Sequence, residues 1–299
     1  MATDRLTFPL IPVRRSTGVA FGTMRSRRRG IGSETASLRE YQPGDDIRRI
    51  DWNASARLSA ALGRDEFVVR EHYAEQARAV YLAVDRSPSM GLYPEASPWL
   101  SKPRAVAAAA TLIAASARAE SCPFGVLDEH GVPRLEPVGR SAAADALVRG
   151  IRYDRRGGLA ALLADVARPS VPAGCFVFLL SDFVAPVEAK TWQRALTGGI
   201  ELVPVVIQDR IWERSFPEVG GITVPYADPK AGRVFPVYVT EKEAARLRSE
   251  HEARWSGLVR DFRSLGCEPV EVHTHDLGEM LGAFLRWADL RMMWRGAIA

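Results

Sequence analysis

The sequence predicts an α/β protein with a doubly wound, mostly parallel sheet and a small β-rich N-terminal subdomain. From about residue 76 onward, short apolar runs alternate with stretches of helical periodicity, which is typical of parallel strands joined by covering helices. Two of these runs, 77–85 and 175–183, are almost uninterrupted, as expected for strands buried on both faces. Residues 1–75 are instead rich in Arg, Gly and short β-like runs. We therefore predict an N-terminal segment over 1–75 and an α/β domain over 76–299.

The predicted elements of the α/β domain follow one another in the order that such a sheet requires. A strand over 77–85 precedes a helix over about 102–120, with Pro103 near the start of that helix. The later elements are two short strands on either side of Gly131, helices over 141–150 and 158–167, a strand over 175–183, a helix over 186–197, a strand over 200–208, an excursion or hairpin within 212–239, a charged helix over about 240–265, a strand over 268–275 and a final helix over 277–295. Pro204 is an awkward residue for a central strand, because proline has no N–H to donate to the ladder.

The composition favours an ordinary globular chain and excludes several classes of function. The 299 residues are 47% hydrophobic and 25% charged, with a net charge of +4, which does not by itself imply nucleic acid. The arginine cluster at 25–29 lacks interleaved aromatic residues, so we expect no nucleic-acid partner. Cys122, Cys175 and Cys267 are far apart, which favours reduced thiols in a cytoplasmic protein. No segment reaches the roughly 18–20 apolar residues that a membrane span needs.

Polar side chains follow two of the apolar strands. Asp85 ends the first strand and is followed by Ser87 and Ser89, and Asp182 ends the strand over 175–183. In open α/β sheets, sites form outside the carboxyl ends of the strands, so these side chains are expected to meet in one crevice. Oxygen ligands of this kind suit Mg²⁺ or Mn²⁺. The alternative is that Asp85 and Ser87 cap the turn that follows them.

The stretch "DRSPSM" resembles the Asp-x-Ser-x-Ser motif of von Willebrand factor A-type domains. This resemblance implies a metal-ion-dependent adhesion site, with Asp85, Ser87 and Ser89 on its first loop and Asp182 on its third. A partner's carboxylate can complete the coordination in that family. The second loop of the family carries a Thr, and the corresponding residue here is Leu159, which offers no oxygen. Water or a polar group such as Asp154 would have to substitute, or the site is a degenerate one that binds its partner without metal.

The segment "LREYQPGDDIRRIDWNASAR" over 38–57 resembles the signature of the bacterial domain-of-unknown-function-58 family, in which it precedes a von Willebrand factor A-like domain. The matching residues are Arg39, Tyr41, Gly44, Asp45, Arg48, Ile50, Asp51, Trp52, Ala56 and Arg57. The resemblance extends from about residue 15 to residue 295. The segment is either a binding surface for a partner or an anionic ligand, or a turn pinned by Arg–Asp pairs.

The family resemblance implies a non-enzymatic interaction or scaffold protein. It also implies a MoxR-type AAA+ ATPase as the partner, in chaperone-like maturation of protein complexes. The residues leave a second hypothesis, a metal-dependent, phosphatase-like hydrolase that uses Asp85 as its nucleophile, although no convincing general base lies near Asp85 in the sequence. His273 and His275 share one face of a strand, but no third zinc ligand is suggested by spacing, so we expect structural roles for them.

Overall fold

The computed structural model describes the chain from residue 6 to residue 298 with several gaps. The described residues are 6–12, 20–42, 47–91, 99–127, 130, 132–135, 148, 150–154, 158–228 and 233–298. The predicted helix over 141–150 lies almost wholly outside them, as do Gly44 and Asp45 of the signature segment.

The N-terminal part contains a long hairpin with a helix between its strands. Strand β1 (Ala20–Glu40) pairs antiparallel with β2 (Val68–Ala77), and helix α1 (Trp52–Leu62) lies in the connection between them. The side chains of residues 20–39, which include the arginine cluster and Arg39, lie outside the described part of the chain.

A six-stranded sheet forms the centre of the remaining chain. Its strands are β3 (Val80–Val84), β4 (Phe124–Leu127), β5 (Pro133–Leu135), β6 (Phe176–Ser181), β7 (Glu201–Ile207) and, after a separate hairpin of β8 (Ile222–Asp228) and β9 (Arg233–Val239), β10 (Val270–Val272). The spatial order is β10–β7–β6–β3–β4–β5. Every neighbouring pair is parallel except β4 and β5. The predicted mostly parallel sheet is therefore confirmed.

Helices cover both faces of this sheet, as a doubly wound fold requires. They are α2 (Lys102–Ala119), α3 (Gly158–Val166), α4 (Ala189–Thr197), α5 (Glu241–Ser264) and α6 (Leu277–Ile298). Val80, Leu82 and Val84 of β3 pack into one core with α2 and α6, whereas Tyr81 and Ala83 pack into the other core with α3, α4 and α5. This alternation explains why the strand is apolar at every position. No helix within the described residues is long and apolar enough to cross a membrane.

Pro204 lies within β7, and its missing N–H costs no hydrogen bond because the neighbouring strand β10 is too short to pair with it. The N–H of Glu201 donates to the carbonyl of Cys175 on the β6 side, and that of Gln208 donates to Val272 on the β10 side. Because successive N–H groups alternate in direction, the nitrogen of Pro204 faces β10. Pairing with β10 begins only at Val205, so no ladder bond is lost at the proline.

Residues 6–12, which we call the N-terminal strap, pack on the α2 and α6 side of the sheet. The ring of Phe8 stacks on that of Phe284, with 4.4 Å between the centroids, and its N–H donates to the hydroxyl of Ser116 in α2. The N–H of Leu10 donates to the carboxylate of Glu120. The strap therefore contributes to the α/β core, although the sequence prediction places it in the N-terminal segment.

The excursion predicted within 212–239 contains the two-stranded hairpin of β8 and β9, which stands outside the main sheet. Val239 at its end packs with Phe216 and with Ala244 of α5. Thr240 and Glu243 then cap each other's backbone at the start of α5, so the end of the hairpin and the beginning of the helix are fixed together.

Candidate functional site at the strand ends

The two strand-end aspartates meet at the point in the sheet where the order of successive strands reverses. Strands β3 and β6 are neighbours, but β4, which follows β3 in sequence, lies on the other side of β3. Such a switch point opens a crevice between the loops that leave the two strands. The N–H of Asp85 donates to the carbonyl of Leu180 at 2.8 Å, which brings Asp85 beside Ser181 and Asp182. We call the group Asp85, Ser87, Ser89, Lys102, Asp182 and Glu213 the strand-end crevice.

Asp85 shapes the first loop, and each of its two carboxylate oxygens accepts a hydrogen bond within the chain. One carboxylate oxygen, Oδ1, accepts the N–H of Ser87 at 2.9 Å, and Oδ2 accepts the hydroxyl of Ser181 at 2.6 Å. Burial raises the pKa of Asp85, and the hydrogen bonds from Ser181 and Ser87 oppose that effect. The capping role considered from the sequence is therefore present, because Asp85 holds the backbone that leads into the short helical turn Pro88–Gly91.

The two serines connect the first loop to the third. Their hydroxyl oxygens lie 3.1 Å apart, and the side chain of Ser89 also hydrogen-bonds to Asp182. Oδ1 of Asp182 accepts the N–H of Val184 at 3.2 Å. The structure thus brings all four predicted site residues together in one hydrogen-bonded group.

Lys102, which the sequence analysis missed, lies between these groups. Its ammonium nitrogen, Nζ, is 2.9 Å from Oδ2 of Asp182, 2.6 Å from Oε1 of Glu213 and 3.4 Å from the carbonyl of Ser89. Burial by itself lowers the pKa of Lys102, but the carboxylates of Asp182 and Glu213 outweigh it and the pKa is raised. The same pairing holds the pKa of Asp182 below its usual range, although burial opposes it.

One signal in the sequence pointed to Lys102. It is the first residue of α2, where the partial positive charge of the helix end makes a lysine unfavourable. A cation at this place needs a compensating anion, and Asp182 and Glu213 supply two. Glu213 gave no such signal, because it belongs to an irregular stretch after β7.

The segment before Lys102 is held in place by the loops that follow β7 and β10. The indole N–H of Trp99 donates to Oδ2 of Asp209 at 2.7 Å, and the N–H of Ser101 donates to Nδ1 of His275 at 3.1 Å. The N–H of His275 in turn donates to the carbonyl of Trp99. His275 therefore has the structural role that was expected of it, and it fixes the start of α2.

The second loop reaches the crevice but brings no oxygen to it. A Cβ atom on Gly158 would lie 3.5 Å from the Cβ of Ser87, so this loop touches the first one. Leu159 is buried with Phe183 and Trp192 and lines a cavity of about 400 Å³ beside the crevice. Asp154, considered as a substitute ligand, is 66% exposed and pairs with Arg152.

The arrangement does not fit a divalent cation. Both oxygens of Asp85 and both oxygens of Asp182 accept hydrogen bonds within the chain, and the ammonium of Lys102 lies against Asp182. The oxygen expected from the second loop is replaced by the side chain of Leu159. Among the described residues, no cluster of three His, Cys, Asp or Glu side chains is arranged to hold a metal ion.

The signature segment has a clear local structural role. Asp51 caps α1, since its Oδ1 accepts the N–H groups of Asn53 and Ala54 at 3.1 and 3.0 Å. The hydroxyl of Ser55 accepts the N–H of Val68 and ties α1 to β2. Trp52 is 60% exposed and contacts the ring of Phe67 edge-on.

The other signature residues provide backbone contacts or lie at the surface. The N–H of Tyr41 donates to the carbonyl of Phe67 at 2.7 Å. Arg48 and Arg57 are exposed, and the backbone of Arg39 is part of β1.

The described residues thus form a doubly wound α/β domain with a carboxylate-and-hydroxyl crevice at the switch point of its sheet. A family model described as "Protein of unknown function DUF58" matches residues 37–257. The chain belongs to this family, as the signature segment predicted.

The chain is also similar to individual proteins. An uncharacterized protein of Mycobacterium tuberculosis and one of Mycobacterium bovis are each 27% identical to it, over 100% of this chain and 92% of theirs. Among solved structures, an aerotolerance-related membrane protein from Bacteroides fragilis gives a TM-score of 0.41 at 14% identity, with 72% of this chain and 100% of that chain covered. A von Willebrand factor type A protein from Catenulispora acidiphila gives 0.38 at 15% identity, with 73% and 44% covered.

Proposed function

We propose that the protein is a non-enzymatic interaction module that binds a protein partner at the strand-end crevice. The observation that supports this proposal is the convergence of three chain segments, which follow β3, β6 and β7, on one group of charged and hydroxyl side chains at the switch point of the sheet. Ligands of open α/β sheets bind at this place. Lys102 and Glu213 keep partial access to solvent, so a partner can reach the charged centre from outside.

A MoxR-type AAA+ ATPase is the partner that we propose, in chaperone-like maturation of protein complexes. The support for this partner is membership in the family, whose resemblance implied such a setting. We also propose a cytoplasmic location, because all three cysteines are buried thiols. Burial raises the pKa of both Cys122 and Cys175 to about 12, so these thiols are unreactive in the folded chain.

The geometry supports binding better than hydrolysis by Asp85. A nucleophilic carboxylate needs one oxygen directed at the substrate, whereas both oxygens of Asp85 accept hydrogen bonds within the chain. The neighbouring cation, Lys102, is protonated and paired, so it does not serve as a general base. Asp85 acts here as a residue that shapes the loop.

A direct binding measurement tests the proposal. The purified chain is immobilised, and the MoxR-type ATPase of the same organism is passed over it with ATP. We expect saturable binding that Ser89→Ala and Asp182→Asn weaken at least tenfold, because both substitutions disturb the charged centre. Ser264→Ala, at the exposed C-terminal end of α5, is the matched control and is expected to bind like the wild type.

Two results would contradict the proposal. Absence of binding by the wild type would remove the ATPase as partner. Binding that is unchanged in Ser89→Ala and Asp182→Asn but lost in Trp52→Ala would move the interface to the signature segment.

A further inference from the structure

The positive charge in the strand-end crevice belongs to the chain itself. An ammonium group has three N–H donors. Three acceptors surround that of Lys102, one on the first loop, one on the third and one after β7: the carbonyl of Ser89 at 3.4 Å, Oδ2 of Asp182 at 2.9 Å and Oε1 of Glu213 at 2.6 Å. The lysine thus ties together segments that β3, β6 and β7 deliver separately.

We propose that Lys102 replaces the divalent cation of an adhesion-type site, so that the crevice is held together by a tethered ammonium group and works without metal. The replacement concerns the same crevice as the proposed function and depends on that function only for the identity of what binds there. Lys102 is the residue that sets the metal requirement of the site.

Three observations support the replacement of a divalent cation by Lys102. Asp182, the third-loop residue expected near a metal, directs one oxygen at Lys102 and the other at the N–H of Val184. The second loop gives Leu159 where an oxygen ligand was expected, and this side chain is buried among apolar residues. Finally, the segment before Lys102 is fixed by Trp99 and by the bond from Ser101 to His275, so the ammonium is positioned by the fold.

The electrostatic balance agrees with this geometry. Asp182 is almost fully buried, and a buried carboxylate is costly unless a cation pairs with it. Lys102 meets that need with a single charge, held 2.9 Å from Oδ2 of Asp182. A second, divalent cation beside Asp182 would be repelled by the ammonium at short range.

Titration of Mn²⁺ into the purified full chain tests the inference, because free Mn²⁺ has an electron paramagnetic resonance signal that disappears on binding. We expect the wild type to leave the signal unchanged at millimolar Mn²⁺. Lys102→Met removes the charge with little change in size, and we expect it to bind Mn²⁺ in a way that adding Asp182→Asn abolishes. Lys190→Met, at an exposed position in α4, is the matched control and should not bind.

Thermal unfolding gives a second readout. Lys102→Met is expected to unfold at a temperature lower by roughly 5 °C or more, since it leaves Asp182 buried without a cation. Mg²⁺ is expected to restore a large part of that loss and to leave the wild type unchanged. Lys102→Arg keeps the charge, so its unfolding temperature should fall less than that of Lys102→Met, and it should not bind Mn²⁺.

The inference is overturned if the wild type binds Mn²⁺ and Asp85→Ala or Asp182→Asn removes that binding. The wild-type titration decides this point even if Lys102→Met does not fold. A failure of the proposed function looks different, since it would appear as absent ATPase binding while the Mn²⁺ titrations stay as expected.

Discussion

At the residue scale, the strand-end crevice depends on how a few charges are distributed. Lys102 stands between two carboxylates of unequal exposure, since the side chain of Glu213 is 23% accessible and that of Asp182 only 3%. Asp182 is therefore the inner, structural anion, and Glu213 is the outer one. Removal of the outer charge should open the lysine to solvent while the inner pair remains.

Chemical acetylation can measure this difference. At pH 8 an amine-reactive acetylating reagent attacks only unprotonated amines, and the raised pKa of Lys102 lowers its unprotonated fraction. We expect Lys102 to react much more slowly than the exposed Lys190 and Lys242 of the same chain, and to react faster in Glu213→Gln. Peptide mass spectrometry gives the three rates, with Lys190 and Lys242 as internal controls. Equal rates for all three in the wild type would contradict the pairing.

At the scale of the elements, the boundaries followed from hydrophobic periodicity, whereas the contacts between elements did not. The helix predicted over about 102–120 is observed at Lys102–Ala119, because its apolar face and Pro103 are local features. The first and third loops were likewise recognisable, since Asp85 and Asp182 directly follow apolar strands. The partners of Lys102 could not be recognised from the sequence, because Glu213 lies 111 residues away and its position depends on the whole sheet.

Leu159 shows how one element has taken a packing role at a position where a ligand was expected. We expect Leu159→Thr to lower the free energy of unfolding by about 2–4 kcal/mol, because it removes buried apolar volume and adds a hydroxyl beside Phe183 and Trp192. Leu159→Met conserves volume and should cost less than about 1.5 kcal/mol. Urea unfolding of the three proteins makes the comparison. A threonine variant as stable as the wild type would mean that the hydroxyl finds a partner in the crevice.

At the scale of the whole molecule, the core on the α2 and α6 side of the sheet is completed by the N-terminal strap, which sequence patterns placed in the N-terminal segment. The N-terminal strap is too short to show a period, so its burial has no local signal. The core position of Phe8 depends on its contacts with Phe284 and Trp287, which are distant in sequence. The strap also accepts a hydrogen bond from the final helix, since Arg291 donates to the carbonyl of Ile11 at 3.0 Å.

A substitution in the strap measures its share in the stability of the fold. Phe8→Ala is expected to cost about 3–5 kcal/mol, because it leaves a cavity among the rings of Phe178, Phe284 and Trp287. Thr7→Ala changes a neighbouring, half-buried residue and should have a much smaller effect. The midpoints of urea unfolding provide the test, and a Phe8→Ala chain that unfolds like the wild type would show that the strap is not part of the cooperative core.

The strap also affects how the protein is made. Phe8 packs against Phe284 and Trp287, which lie far along the chain from it. The core on this face can therefore close only when both parts of the chain have been synthesised, and contacts so distant in sequence form slowly. Until then the apolar face between α2 and the sheet stays open, so the newly synthesised chain needs protection from aggregation for longer than its well-patterned strands suggest.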